Sequence, residues 1–514
     1  MSVLALWCLL TSPVRRVTIT VGPLLLITGV LLWSLPLLWS PHHDWVVNAT
    51  PRVLALWAIV GLWMLLLHAK LGLRVRLAWL NIIILASLVQ AVLAIIQFSS
   101  HHALPGGRPG GSFFQANVLA SFLATGLVSA MLKSLYPSHQ MSRVLAHISL
   151  VVLPAVLVLV QSRAGFIGAL LGLLLILLCG YRKVKSIRTP ILLMLSGVIT
   201  GGLWLYGGHA WFPGVVPAPV SKSGSVSTRL YMLELTMRLI MRHPFAGNGY
   251  GGFEALFGQL AQITPPGLET DTVTHPHNEL LYAWIEGGVI ALMGVFLIAA
   301  GILMRFREKG GGLTGLALLI PIVTHMNLEY PLYISVSHSL LLLILLIIGE
   351  ADLTCIVHME HYQPFSLPPT TRLTIIRRIM VGLFAIGVVI FMITGLHSQQ
   401  QLMKIEDRGL SDLVTHESET LSALYNKAAI YERLDFDKHI AMLLRFNLTS
   451  DPLLIADFRK WGMQYLNTHN DPGVYDSLLK IDKVQFPHEG ELLCRQAHGR
   501  WSSDSRFICS PQIK

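Results

Sequence analysis

The run Thr274-His275-Pro276-His277-Asn278-Glu279-Leu280-Leu281 places an imidazole directly ahead of a long apolar segment. Pro276 disfavours helical backbone at His275. Asn278 suits the N-cap of the helix that follows, and Glu279 suits its first turn. His277 then stands just outside a helix N-terminus, whose positive end disfavours imidazolium. A neutral imidazole at a membrane–water boundary can take a proton from a hydroxyl. The residue types leave two other readings open: a polar residue that merely ends a loop, or a zinc ligand acting with His275 and Asp271. For zinc, third and fourth ligands at the customary spacing are missing from the sequence.

Two arginines could meet an anion. Arg163, in Gln161-Ser162-Arg163-Ala164-Gly165, occupies a tight turn between two apolar spans, where a cation needs a partner or must snorkel to headgroups. Arg229, in Ser227-Thr228-Arg229-Leu230-Tyr231, is expected to open a helix capped by Ser227 or Thr228. A first-turn arginine opposes the macrodipole unless helix end and guanidinium share a phosphate; the alternative is a solvated side chain. The same helix carries Glu234, Arg238 and Arg242 four apart, with apolar residues between, and is expected to lie along the membrane surface with its charges solvated. After it, Gly247-Asn248-Gly249-Tyr250-Gly251-Gly252 could approach a ligand closely or form a plain tight turn.

Further polar candidates are Gln115 and Asn117, which could line a cavity or belong to a flexible N-cap lead-in. His325 and Glu329 are four apart on one helix face, beside Asn327 and Tyr330. They read as a site or as a structural brace. No Walker A motif occurs, and no compact acidic cluster in these loops would hold a divalent cation.

The elements that must position these groups are membrane helices. The 514 residues are 53% hydrophobic and only 13% charged, far below the charged share of a soluble domain. Apolar runs approach the length that crosses a bilayer as a helix, which predicts an all-α polytopic membrane protein. About eleven spans are expected, near 17–39, 52–69, 77–98, 115–133, 144–161, 164–181, 190–207, 280–303, 313–328, 333–349 and 378–397. The net charge of +10 hints at nucleic acid, but its distribution argues against that partner. Basic residues cluster at alternate helix ends: Arg15/Arg16, Lys70/Arg74/Arg76, Lys133/Arg143, Arg182/Lys183/Lys185/Arg188, Arg305/Arg307/Lys309 and Arg372/Arg377/Arg378. That set marks the cytoplasmic side. Arg15 and Arg16 follow an apolar start without a small-residue cleavage site, so no cleaved signal peptide is expected.

The loop 208–279 and the tail 398–514 then share the other, trans side, expected to be a periplasm. The expected division is a transmembrane unit, 1–397, and a helical periplasmic unit, 398–514. The tail shows helical patterning over Leu421 to Arg433 and Leu453 to Leu466, with breakers at Asp451-Pro452 and Asp471-Pro472-Gly473. Cys494 and Cys509 both fall in it, where an oxidising compartment lets them pair; Cys8, Cys179 and Cys355 lie near the cytoplasmic side or in the membrane.

Together these segments resemble the Wzy_C superfamily of bacterial glycan ligases and polymerases. The resemblance rests on His277-Asn278-Glu279-Leu280-Leu281 closing a large loop, on the Ser162-Arg163 turn, on Arg229 followed by Tyr231, and on His243-Pro244-Phe245-Ala246-Gly247-Asn248-Gly249. It spans roughly 105–350. Gly111-Ser112-Phe113-Phe114-Gln115-Ala116-Asn117 and Glu329-Tyr330-Pro331-Leu332 are most similar to PglL-type protein O-oligosaccharyltransferases, whose soluble tail this chain also shares. The resemblance implies transfer of a preassembled oligosaccharide from undecaprenyl pyrophosphate to a Ser or Thr hydroxyl of a periplasmic or pilin-like protein, with no metal or nucleotide cofactor. It assigns His277 as general base and Arg163 and Arg229 to the pyrophosphate. Gln115, Asn117, Tyr231, Asn278, His325, Glu329 and Tyr330 are expected to touch substrate or support those groups. Within the superfamily the alternative is O-antigen ligation to the lipid A core, or polymerisation. A transporter of lipid-linked glycan would predict internal repeats and mid-bilayer polar groups, which the sequence lacks.

Overall fold

The computed structural model describes residues 20–68, 71–100, 107–136, 139–180, 187–211, 216–220, 224–264, 272–353 and 372–509. Asp271, Cys8, Cys355 and the basic residues Arg15, Arg16, Lys70, Arg182, Lys183 and Lys185 lie outside them. No β-strand occurs among the described residues. The membrane helices are α1 (Val21–Ser34), α2 (His43–His68), α3 (Leu73–Ser99), α4 (Ala116–Leu135), α5 (Gln140–Val160), α6 (Arg163–Gly180) and α7 (Arg188–Gly202). Then come α8 (Gly224–Arg242) and α9 (Phe253–Gln262) of the loop, followed by α10 (Glu279–Lys309), α11 (Gly312–Met326), α12 (Val336–Gly349) and α13 (Arg372–Asp407). Each expected span meets an apolar helix; eight are long enough to cross a membrane, α1 and α7 because the helical path continues to Trp39 and Trp211, and α6, α11 and α12 are shorter.

Small residues let these helices approach. In a bilayer, lipid competes for apolar surface, so close backbone packing supplies the attraction. Gly22 and Gly29 of α1 face Gly301 and Gly294 of α10, and a Cβ on Gly29 would stand 2.6 Å from the Gly294 carbonyl oxygen. At the centre α4 is buried almost throughout. Its Thr125 and Ser129 hydroxyls donate to the carbonyls of Ser121 and Thr125, at 2.9 and 2.8 Å, so the polar atoms cost little. Gly165 and Gly168 of α6 lie against Ala120 of α4 and Pro321 of α11, which sets these three helices side by side. At the end away from the loop, buried Glu350 accepts a hydrogen bond from Arg305 at 2.8 Å and pairs with Arg76 at 3.6 Å, tying α3, α10 and the end of α12. Helix alternation puts Arg74, Lys133, Arg143, Arg188, Arg307 and Lys309 at the same end.

The glycine-rich stretch after α8 is a packing device. Helix α10 is broken at Gly288, whose φ is +65°. Asn248 and Gly249 donate their backbone N–H groups to the carbonyls of Ile285 and Glu286, at 2.9 and 3.0 Å. A Cβ on Gly247 would lie 2.2 Å from the Glu286 carbonyl oxygen. The tight-turn reading holds, and the glycines serve the break in α10.

The tail is helical but continuous with what precedes it. Helix α13 runs past residue 397 to Asp407 without a break. Two antiparallel pairs follow: α14 (Tyr431–Thr449) with α15 (Pro452–Tyr465), and α16 (Pro472–Gln485) with α17 (Pro487–Arg500). The expected breakers are caps: Asp451 accepts from Leu453 N–H, and Asp471 from Gly473 and Val474 N–H. The pattern over Leu421 to Arg433 is not one helix. The chain breaks after Ser422, and Asn426 accepts from Ala429 N–H while donating its own N–H to Ser398, so side-chain capping outcompetes the apolar periodicity. Phe458, Leu478, Ala497 and Phe507 of the tail share one core with Leu239 of α8 and Phe257 of α9. Loop and tail are therefore packed as one unit, on one side. Cys494 and Cys509 are disulfide-bonded.

Two predictions follow from this packing. The Cys494–Cys509 bridge closes a short loop worth about 3 kcal/mol, so Cys494→Ser should lower the thermal unfolding midpoint of the loop–tail unit, read as earlier heat-exposed cleavage by a protease. Docking also uses His469, whose Nδ1 is 3.3 Å from Glu254 of α9. Burial would push this imidazole down; the Glu254 hydrogen bond and charge, aided by Glu432 and Asp471, outweigh it and raise it. The stabilisation is complete below the unfolded value, about 6.5, and is lost as pH rises through the raised folded value. Native protein should lose loop–tail stability on that rise, and His469→Gln should show a flatter pH dependence.

Candidate active site

Three helices begin at the loop end of the bundle, and each is preceded by the same local device. Phe114, Gln161 and His277 have φ of 56°, 54° and 56°. Each is followed by one residue and then by the start of α4, α6 or α10. Left-handed backbone is rare for side chains of this size and costs on the order of 1 kcal/mol. It turns the chain sharply into the cap. Asn278 accepts from Leu281 N–H at 3.0 Å, as expected of an N-cap, and its amide donates to the Asn327 carbonyl at 3.1 Å. Ser162 accepts from Gly165 N–H at 3.2 Å. Gln115 makes no capping bond; its amide goes to Glu329.

The His277 backbone N–H donates to Nδ1 of His275 at 2.9 Å. His275 is a buried post. Its ring packs against Tyr282 at 4.4 Å and Tyr330 at 4.9 Å between centroids, and its Nε2 is 3.4 Å from Glu279. His277 itself is half-buried, with its ring 5.2 Å from that of Tyr330. Its Nδ1 is buried and has no hydrogen-bond partner among the described residues. Burial, with the charges of His275 and Arg229 against the opposing pull of Glu329, pushes the imidazole down to about 4. Burial, rather than the helix dipole read from the sequence, is the largest cause that favours a neutral ring.

Glu329 is where the polar groups meet. It accepts hydrogen bonds from Gln115 at 3.3 Å, Arg229 at 3.2 Å, His325 at 3.2 Å, and Asn117. Burial alone would raise its carboxyl; the hydrogen bond from His325, with the charge of the Arg229 guanidinium, outweighs that and holds it below the usual carboxylate range. Arg108 reaches toward Asn117, at 3.5 Å, and had no motif to mark it beyond its place just ahead of Gly110-Gly111. The lead-in to α4 is not flexible. Gln97 of α3 accepts from Gly110 and Gly111 N–H at 3.1 and 2.8 Å, and Gln90 from Ser112 N–H at 3.0 Å. Two glutamines in the apolar second half of α3 were the available signal for this clamp.

The sequence placed two groups imperfectly. Helix α8 begins at Gly224, so Arg229 lies in its second turn and no longer opposes the macrodipole at the helix end. The spacing of Val226, Leu230 and Leu233 extends the helical pattern upstream of the Ser227/Thr228 cap, and the Glu329 carboxylate holds the guanidinium. Tyr231 points elsewhere: its hydroxyl donates to the Thr264 carbonyl at 2.9 Å and closes the loop after α9. Arg163 begins α6, is exposed, and makes no hydrogen bond or ion pair among the described residues. It is two residues from Gly165, which rests on Ala120 of α4, one turn from Asn117. The Glu234–Arg238 pair at 2.6 Å is solvent-exposed, as expected. Among the described residues, no group of three or more His, Cys, Asp or Glu could hold a metal ion.

Arg108, Arg163 and Arg229, with the N-termini of α4, α6 and α10, make this end of the bundle receptive to an anion. The His277 imidazole lies within electrostatic reach of Arg229 and Glu329. Fold and site define a multi-pass membrane protein. Residues 148–296 match the family described as O-antigen ligase, and residues 313–478 match that described as virulence factor membrane-bound polymerase, C-terminal. The chain belongs to the Wzy_C superfamily of O-antigen ligase- and polymerase-like membrane glycosyl-transfer enzymes. The first match runs from before Arg163 to beyond His277; the second runs from α11 into the tail. Comparison with curated proteins gives no match.

The electrostatics can be checked directly. In NMR titration His277 should protonate near 4, and Glu329→Gln, which removes the one neighbour that favours imidazolium, should move it lower still. Titration near the ordinary histidine value would contradict the burial described.

Proposed function

We propose that this protein is an oligosaccharyltransferase of the bacterial inner membrane, with its site on the periplasmic side. It moves a preassembled oligosaccharide from undecaprenyl pyrophosphate to a Ser or Thr hydroxyl of a periplasmic or pilin-like protein. The observation that carries this reading is the half-buried, neutral His277 beside the Arg229–Glu329 pair. An imidazole nitrogen of His277 takes the hydroxyl proton as the oxygen attacks the anomeric carbon. The bond from that carbon to the pyrophosphate oxygen breaks, and the departing lipid pyrophosphate keeps the electron pair. Direct displacement inverts the anomeric centre. Arg163 and Arg229 stabilise the growing negative charge, and the helix N-termini add to the field. Gln115, Asn117, Asn278, His325 and Tyr330 hold this arrangement around Glu329 and His277. The loop–tail unit on the same side offers a surface for a protein acceptor.

The family descriptions favour a second reading, in which the acceptor is the lipid A core or the growing O-antigen itself. Reconstitution with lipid-linked oligosaccharide and either a Ser-rich periplasmic protein or a lipid A core separates the two. Glycan on the protein supports the proposal, and glycan on the core alone overturns it. His277→Ala should lower turnover by roughly 10²–10⁴-fold, the usual weight of general-base catalysis, with insertion and folding intact. Arg163→Ala and Arg229→Ala should each raise the barrier by about 2.7–4 kcal/mol, measured as kcat/KM for the lipid-linked donor.

A further inference from the structure

Beneath the site a line of buried polar side chains crosses three helices. Glu329 Oε2 is 3.2 Å from His325 Nε2. His325 Nδ1 is 2.7 Å from the Ser121 hydroxyl of α4. That hydroxyl is 2.9 Å from Nε2 of His338 in α12, and His338 Nδ1 is 2.9 Å from the Ser335 hydroxyl at the α12 N-cap. Ser121, His325 and His338 have no exposed surface. Phe113 and Phe122 pack on the His338 ring at 5.5 and 6.0 Å between centroids and close the line from water.

With His325 neutral, proton accounting sets the direction of each bond in the line. A carboxylate can only accept, so neutral His325 must carry its hydrogen on Nε2. Its Nδ1 is then an acceptor and needs the Ser121 O–H. Ser121 has one hydrogen, so its oxygen receives the Nε2–H of His338. His338 Nδ1 in turn receives the Ser335 O–H, while Ser335 still accepts the His338 backbone N–H as the cap. The competing arrangement has Ser121 donate to the Val118 carbonyl, 3.1 Å away, and it leaves His325 doubly protonated. Ser121, His325 and Glu329 echo a hydrolytic triad, but a fully buried hydroxyl shared between two imidazoles has no access to substrate.

We infer that Ser121 and His338 are positioning residues: with Ser335 they lock the tautomer of His325, which holds Glu329 as a carboxylate open to Asn117, Gln115 and Arg229. The consequence for turnover rests on the transferase reading above; the tautomer does not. Breaking the line leaves a buried acceptor unmatched and lets the Glu329 cluster relax.

The test uses the full chain in lipid nanodiscs with 15N-labelled histidine. Native His325 and His338 should both show Nε2–H and bare, hydrogen-bonded Nδ1, and Ser121→Ala should shift the His325 Nδ1 resonance. Native His325 found as the Nδ1–H tautomer or as imidazolium overturns the inference, whether or not any glycan transfer is detected. For turnover, Ser121→Ala and His338→Leu should lower kcat/KM for the lipid-linked donor about tenfold or more, with acceptor KM unchanged. His338→Gln, whose amide N–H approaches the place of Nε2–H, should recover most of that loss. Equal loss in the Gln and Leu variants, or full activity in Ser121→Ala, overturns it.

Discussion

A carboxylate removed from water must be matched by donors, or its burial costs several kcal/mol. Glu329 is matched by Asn117 and Gln115 at the start of α4, by Arg229 on α8 and by His325 on α11. These groups come from distant parts of the chain. Satisfying one anion therefore fixes how the loop helix α8 sits over the bundle, and where Arg229 stands relative to His277. Arg229 and Arg108 can lie near one another because this anion lies near both.

A second buried pair does the same for the other side of His277. Arg52 of α2 bonds Glu286 of α10, which also accepts from Gly251 N–H at 3.0 Å. The guanidinium lies over the rings of Tyr250 and Tyr282, 5.0 and 4.6 Å from their centroids. Tyr282 meets His275, and His275 receives the backbone N–H of His277. The break in α10 at Gly288 lets the glycine-rich loop reach this pair. His277 is thus braced through packed aromatic rings from inside the membrane helices, and its left-handed backbone is held by neighbours on both sides.

The tail bears on the site through the loop. Its helix pairs share a core with α8 and α9, and Glu254 of α9 accepts from Asn470 N–H at 2.6 Å. Helix α8 also carries Arg229. Loop, tail and site are thereby packed together. A boundary at residue 397 describes composition better than it describes packing.

Much was legible in the residues taken alone. Long apolar runs must be helices in a bilayer, where every backbone N–H and C=O has to be satisfied within the segment. Local rules gave the Asn278 cap, the aspartate–proline starts of α15 and α16, and the spacing that pairs His325 with Glu329, because each joins residues within one or two turns. The same local rules misplaced the start of α8, and the resemblance did not foresee that the Tyr231 hydroxyl is taken by the Thr264 carbonyl. Arg108, the glutamine clamp and the Ser121–His338 link left no periodic trace, because their partners are remote along the chain. Only the folded structure decided which polar groups share one carboxylate, and that burial pushes the His277 imidazole down, since both depend on how three-dimensional packing excludes water.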